Sequence, residues 1–202
     1  SIALAPVTAP PLEARLRATA PEQMDLELAE VFVDLGLRTN ARPVAKVAVG
    51  APLRVVPVPN ARWAVRLRAK GRAGVSDSGL RFFDPAATEV ELDLPAPPVL
   101  ESPANGSAIA RDTPLYVFAA EGIREHVLTP LDGQGGEIRV VTAARDAMLP
   151  DGAVVGLPPP TGRYAWTVQV WPELGFVDQI QGSETRVIVP SATCAPYVLV
   201  LR

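Results

Sequence analysis

Residues 157–170 read LPPPTGRYAWTVQV, and residues 56–69, which lie 101 positions earlier, read VPVPNARWAVRLRA. Each segment passes through a proline-rich turn to an arginine, an aromatic residue and a strictly alternating run. A period of two is that of a β-strand with one face in a core. The predicted core faces are Trp63, Val65, Leu67 and Ala69 in the first copy and Tyr164, Trp166, Val168 and Val170 in the second.

The repeat predicts two domains within the 202 residues. Two units of about 100 residues would each bury a workable core. Between them lies PAPP (95–98), a stiff linker because consecutive prolines hold an extended backbone and cannot continue a central strand. We therefore predict an N-terminal arm at 1–11, a first domain at 12–96 and a second domain at 97–202.

The spacing of apolar runs predicts an all-β fold. Short β-branched and leucine-rich runs recur at intervals of about 8–12 residues, which is typical of a sandwich or barrel. The segment EQMDLELAEVFVDL (22–35) fits helical spacing as well, but its neighbours favour a strand. The predicted strands lie near 12–18, 26–34, 44–49, 53–57, 62–70, 80–83, 88–94, 107–110, 114–119, 126–131, 137–142, 163–171, 184–189 and 196–201.

Motifs of a known family follow in the second half. They are PVLESPANGSAI (98–109), TPLYVFAAEG (113–122), the pattern of 157–170 and SETRVIVP (183–190). With these motifs the second half resembles a bacterial extracellular fibronectin type III domain, which implies a β-sandwich and specifies no activity. The first half shares the aromatic strand and is interpreted as an immunoglobulin-like sandwich, with a transthyretin-like or carboxypeptidase-regulatory-like sandwich as alternatives.

Residues for catalysis and metal binding are scarce. His126 and Cys194 are the single histidine and the single cysteine, which is too few for a structural zinc site. His126 lies in a predicted strand, and no acidic loop has the alternating carboxylates of a calcium site. We expect no enzymatic activity, no metal and no cofactor.

A basic stripe offers a candidate site for an anionic ligand. Cations alternate in RLRAKGR at Arg66, Arg68, Lys70 and Arg72. Carboxylates alternate in TEVELDLP at Glu89, Glu91 and Asp93. If these were neighbouring strands of one sheet, the two stripes would neutralise each other. Pairing of the stripes is the favoured interpretation, and binding of an anionic ligand is the alternative.

Large apolar residues in WPELGFV (171–177) predict a contact surface. By alternation from Tyr164, Trp171 points outward, and Leu174 and Phe176 fall in the loop that follows. Aromatic residues in sandwich loops commonly carry recognition. We predict that Trp171, Leu174 and Phe176 bind a protein partner or a second copy, with packing onto the sandwich as the alternative.

These patterns predict a non-enzymatic, exported bacterial protein with a structural or adaptor role in the periplasm, at the outer membrane or outside the cell. The opening arm SIALAPVTAPP is typical of the residues that follow a removed export signal, with an arbitrary starting point as the alternative. The sequence contains no run of 18 apolar residues, so it predicts no transmembrane helix. A net charge of −3 disfavours nucleic acid. The alternative function is a carbohydrate-binding module that stacks glycans on tryptophan.

Overall fold

The computed structural model of the protein describes residues 10–35, 41–118, 122–133, 136–149, 161–171 and 192–202. Within these ranges the regular structure is entirely β, which confirms the all-β prediction, including a strand assignment for most of 22–35. The predicted strand at 184–189 lies outside the described residues. Backbone contacts divide the chain into two compact units, which are described separately below.

Unit 1 comprises Ser1–Ala69 and Asp77–Leu94. Its strands form a three-stranded sheet, in the order β10-β1-β5, and a four-stranded sheet, in the order β4-β3-β6-β9. The two sheets bury a common apolar core, with Leu16, Leu53 and Leu92 from the first and Val31 and Val65 from the second. The strands of this half of the chain are β1 (Leu12–Thr19), β2 (Met24–Leu26), β3 (Ala29–Asp34), β4 (Arg42–Val47), β5 (Pro52–Val55), β6 (Arg62–Arg66), β7 (Arg68–Gly71), β8 (Gly74–Asp77), β9 (Arg81–Phe83) and β10 (Glu89–Asp93).

Unit 2 comprises Lys70–Ser76 and Pro95–Arg202. One sheet has the order β11-β13-β16, and the other runs β12-β19-β17-β14-β15, with the short β18 also paired to β17. Leu115 and Val117 of the first sheet pack in one core with Trp166, Val168 and Leu199 of the second, a sandwich-like arrangement. The strands are β11 (Val99–Ser102), β12 (Ala108–Ile109), β13 (Leu115–Phe118), β14 (Ile123–Pro130), β15 (Ile138–Thr142), β16 (Asp146–Ala147), β17 (Gly162–Trp171), β18 (Ala192–Cys194) and β19 (Tyr197–Leu201).

The two repeated segments form strands with matching positions. Strand β6 lies between β3 and β9, and β17 lies between β14 and β19; each is antiparallel to both neighbours. The predicted core faces are confirmed: seven of the eight residues are buried, and Trp63 is half-buried against the core. The repeat therefore encodes the central strand of a sheet in each unit.

A hairpin that the sequence analysis missed follows β6. Residues 70–76, predicted to lie in the first domain, are grouped with unit 2, where β8 pairs with β18 in the register Gly74–Cys194. Gly74 has a φ of 142°, and a Cβ there would lie 2.0 Å from the Thr193 carbonyl oxygen. Glycine is required because no side chain fits between the two backbones.

The acidic stripe does not pair with the basic stripe. Strand β10 lies in the three-stranded sheet and pairs in parallel with β1, whereas β6 lies in the other sheet. Glu91 is therefore opposite Arg17, and Glu89 forms an ion pair with Arg17 at 2.7 Å. The favoured interpretation was wrong because β1 carries alternating arginines of its own.

Replacement of Trp166, which is fully buried in unit 2, tests the assignment of its core. We expect Trp166→Ala to lower the free energy of unfolding by about 3–5 kcal/mol, because the truncation leaves a large cavity. Phe118→Ala removes an exposed ring from the opposite face of a unit 2 strand and should cost less than about 1 kcal/mol. Chemical denaturation of both variants measures the difference, and equal costs would contradict the core assignment.

Candidate functional site

The predicted contact residues lie only partly within the described structure. Trp171 is the last residue of β17 and follows the buried Val170, so it has the parity of the face opposite the core. It is half-buried and is paired with Ile123 of β14. Leu174 and Phe176 lie outside the described residues. A contact surface at these three residues stays a prediction.

The four cations of the basic stripe are divided between the units. Arg66 ends β6 and Arg68 begins β7, both in unit 1, while Lys70 and Arg72 belong to the segment grouped with unit 2. Arg66 and Arg68 both approach one buried carboxylate, that of Asp77. This carboxylate organises the best-defined polar cluster of unit 1.

Asp77 is almost fully buried, and its carboxylate accepts several hydrogen bonds. The Arg66 Nε donates to Oδ1 at 3.0 Å and to Oδ2 at 2.9 Å, and its Nη2 also donates to Oδ2. The backbone N–H of Gly79 donates to Oδ1 at 2.9 Å. The hydrogen bond to Asp77 is the main cause of the raised pKa of Arg66. The contact thus fixes the guanidinium and the carboxylate in orientation.

A local break in the strand places this cluster. Between β6 and β7, Leu67 donates its backbone N–H to Ser78 Oγ at 2.9 Å, and its carbonyl oxygen accepts from the Ser78 N–H at 2.9 Å. Arg68 then begins β7, where its carbonyl oxygen accepts from the N–H of Glu27 at 2.8 Å. The chain changes partners at Leu67, so Arg66 and Arg68 flank a change in pairing instead of lying on one continuous strand.

A polar pocket of about 310 Å³ lies beside this break, and we call it the Arg68 pocket. It carries both signs of charge together with one half-exposed leucine. Its charged residues are loosely paired at one edge, where the Lys46 Nζ lies 3.4 Å from Glu30 Oε1. The residues that line it are Glu27, Leu28, Glu30, Lys46, Arg66 and Arg68.

Arg68 is the least satisfied cation of the pocket. Its Nε is buried and donates no hydrogen bond within the described residues, and the nearest carboxylate oxygen, Asp77 Oδ2, is 3.6 Å away. Its side chain is nevertheless 42% exposed, so the guanidinium remains accessible. A ligand oxygen can therefore reach the terminal nitrogens of Arg68, whereas the Nε is closed to it.

His126 and Cys194 occupy structural positions in unit 2. The His126 ring stacks on Trp166, whose Nε1 donates to His126 Nδ1 at 3.3 Å. Burial, reinforced by the charge of Arg124, lowers the pKa of His126 to about 4. Burial also raises the pKa of Cys194 to about 11, and its Sγ accepts from the backbone N–H of Val168. The imidazole is neutral and the thiol protonated at neutral pH, so neither is poised as a base or nucleophile.

An exposed apolar surface lies on the outer side of the three-stranded sheet of unit 2, and we call it the aromatic face. Its three residues are Val99 (54% exposed), Tyr116 (42%) and Phe118 (56%). Val99 is opposite Phe118 in the register of β11 and β13, and the guanidinium of Arg145 lies over the Phe118 ring. The sequence analysis predicted a strand near 114–119 but did not assign its outward face.

Comparisons with known proteins add no family assignment. No protein-family model matches the chain, and no curated protein matches it in sequence. Within the described ranges, no group of three or more histidine, cysteine or acidic residues is arranged to hold a metal ion. The same part of the chain contains no helix with the length and apolar character needed to cross a membrane.

Loss of the Asp77 carboxylate tests its organising role. We expect Asp77→Asn to lower the free energy of unfolding of unit 1 by about 3 kcal/mol, because the largely buried Arg66 would lose its counter-ion. Glu13→Gln breaks the exposed ion pair with Arg54 in the same unit and should cost less than about 1 kcal/mol. Urea titrations of both variants measure this, and a cost for Asp77→Asn no larger than that for Glu13→Gln would contradict it.

The lowered pKa of His126 predicts a pH dependence of stability. In the unfolded chain His126 is protonated below about pH 6.5, whereas in the folded protein its pKa is about 4. The contribution of neutral His126 to the free energy of unfolding is therefore fully present above pH 6.5. It is lost as the pH decreases toward 4, by up to about 3 kcal/mol. The nearby carboxylate of Asp146 opposes the shift but does not cancel it.

The matched variant is His126→Asn, which keeps an acceptor for Trp166 but cannot ionise. The measured quantity is the difference in unfolding free energy between pH 7 and pH 4.5, for the native protein and for the variant. The fall should be smaller in the variant, since the other titrating groups are common to both proteins. Parallel curves would show that His126 does not titrate as its burial requires.

Proposed function

We propose that the chain is a non-enzymatic exported protein with a structural or adaptor role in a bacterial envelope or extracellular assembly, built from two tandem immunoglobulin/fibronectin III-like domains. It acts through contacts with a protein partner or with a second copy. The observation that carries the proposal is the aromatic face, Val99, Tyr116 and Phe118, which is apolar, exposed and held on a paired sheet.

The order of strands in unit 2 supports the domain assignment. In the immunoglobulin scheme, strands A, B and E form one sheet, while C, F and G form the other. Strands β11, β13 and β16 hold the places of A, B and E, and β14, β17 and β19 hold those of C, F and G. Tyr164 near the start of β17 holds the place of the tyrosine found near the start of strand F.

Unit 1 supports the assignment in one sheet and departs from it in the other. The order β4-β3-β6-β9 repeats that of β15-β14-β17-β19, with the repeated segment as the third strand in both. The departure is the parallel pair of β1 and β10, since the sheets of these sandwiches are largely antiparallel. We assign unit 1 as an immunoglobulin-like relative with an altered edge.

The aromatic face supports a contact function for energetic reasons. Phenylalanine and tyrosine provide much of the binding energy in protein interfaces when they become buried there. The guanidinium of Arg145 lies over the Phe118 ring and restricts it, so part of the entropy cost of ordering the ring is already met. Trp171 would provide a second anchor in the same unit.

Structural roles for His126 and Cys194 support the non-enzymatic part of the proposal. The resemblance of the second half to bacterial extracellular fibronectin type III domains supports export to the periplasm, the outer membrane or the cell exterior. The alternative, a carbohydrate-binding module, depends on tryptophan platforms. Trp166 is fully buried and Trp63 is half-buried against the core, so that alternative rests on Trp171.

Site-specific photo-crosslinking tests the contact function. A photoreactive phenylalanine analogue at Phe118 should yield a crosslinked protein partner, or a crosslinked dimer, in the native cell envelope. The same analogue at Val56, which is also exposed but lies in unit 1 and outside the lining of the Arg68 pocket, is the control. Phe118→Ser should then weaken binding of the captured partner by about 30-fold, because an aromatic anchor contributes about 2 kcal/mol. Equal crosslinking at both positions, or unchanged binding by Phe118→Ser, would contradict the proposal.

A further inference from the structure

We propose that the Arg68 pocket binds a single carboxylate side chain of a protein partner, with Arg68 as its main anchor and Lys46 as a second one. This inference rests on the proposed contact function and identifies the chemistry of one contact in unit 1. The ligand is an isolated aspartate or glutamate, presented on a polypeptide with uncharged residues beside it.

Arg68 has hydrogen-bond donors without acceptors in the described structure. Arg66 is occupied by the bidentate carboxylate of Asp77, while Arg68 lies 3.6 Å from the same carboxylate and its buried Nε lacks a hydrogen-bond acceptor within the described structure. Asp77 accepts its hydrogen bonds from Arg66 and from the Gly79 N–H, and none from Arg68. A carboxylate from outside would accept from the two terminal nitrogens of Arg68, in the two-point geometry that arginine favours, while the buried Nε stays closed to the ligand.

Lys46 provides the second cation. Its side chain is 64% exposed, and its ion pair with Glu30 at 3.4 Å is long for a hydrogen bond. An exposed pair of this kind contributes little to stability, so exchange of its partner costs little. The ammonium group can therefore turn from Glu30 to an incoming carboxylate with little loss of folding free energy.

The acidic residues of the pocket define the class of ligand. Glu27 and Glu30 line the same cavity as Arg68 and Lys46. A densely charged polyanion such as an acidic polysaccharide would bring several negative charges beside these two carboxylates and be repelled. A single carboxylate brings only one negative charge to the two cations, so the mixed lining favours one isolated acid.

The surroundings of the pocket fit a polypeptide. Leu28, which is half-exposed, forms part of the lining. Farther along the same sheet face Phe82 is half-exposed, whereas Phe32 and Ala64, which lie between it and the pocket, are buried. An acidic side chain in the pocket would therefore place a neighbouring apolar side chain of its own chain near Leu28.

Titration with a minimal ligand tests the pocket directly. The probe is N-acetyl-glutamate amide, which carries one carboxylate, and its neutral counterpart is N-acetyl-glutamine amide. The readout is the arginine Nε–Hε resonances of the complete, isotope-labelled chain. We expect the Arg68 resonance to shift saturably with the acid and to remain unchanged with the amide.

Three variants give the expected changes. Arg68→Gln should weaken binding of the acid at least about tenfold, through loss of a charge-assisted pair. Arg68→Lys should recover only part of it, because a lysine keeps the charge but lacks the planar pair of donors. Arg54→Gln, in the same unit, should leave the affinity unchanged, and thermal unfolding checks that each variant is folded.

The proposal is overturned if no saturable shift occurs at Arg68, or if Arg54 and Arg68 shift alike, which would indicate a general ionic effect. It is also overturned if a heparin fragment binds at Arg68 more tightly per charge than the single acid, since that result would indicate a polyanion site. The failure of the pocket is distinguishable from failure of the contact function, because crosslinking at Phe118 uses another unit and another readout.

Discussion

Each unit depends on one central strand that is hydrogen-bonded on both sides. Strands β6 and β17 hold antiparallel neighbours at both edges, so their position is fixed by backbone hydrogen bonds before any particular core contact is considered. A shift of one residue would move every buried side chain of such a strand to the outer face. The strict alternation of both segments follows from this requirement for a fixed register.

The candidate pocket of unit 1 lies where β6 ends and its pairing on both sides stops. Beyond Arg66 the chain leaves the four-stranded sheet, and the free backbone groups of Leu67 are taken up by Ser78. The same turn of chain carries Asp77, whose carboxylate holds Arg66. Polar groups are thus buried at the break, and Arg68 emerges from it with a donor that the protein itself does not satisfy.

In unit 2 the buried polar groups stabilise the fold and do not form a candidate binding site. His126 lies on the core face of β14, stacked on Trp166, and its low pKa follows from that burial. Arg124, two residues earlier, donates to the carbonyl oxygens of Gly122 and Ala143. These groups join strands and loops within the sandwich-like core, whereas the exposed residues of the aromatic face are available for contacts.

The sequence by itself determined the fold class, the two central strands and the faces that they bury, because alternation and turn residues act locally. It also placed His126 in a strand and Trp171 at an outward position. The hairpin at 70–76 was missed, although Gly71 and Gly74 in KGRAG could have indicated a turn.

The tertiary structure alone decided which charges meet. Both LEARLRA (12–18) and RLRAKGR (66–72) alternate arginine with apolar residues, so either could face the acidic stripe of β10. The choice of β1 depends on long-range strand pairing, which local pattern does not encode. For the same reason the sequence did not reveal the Arg68 pocket. Its lining comes from four strands and one loop, and its unsatisfied donor exists only because Asp77 folds back onto Arg66.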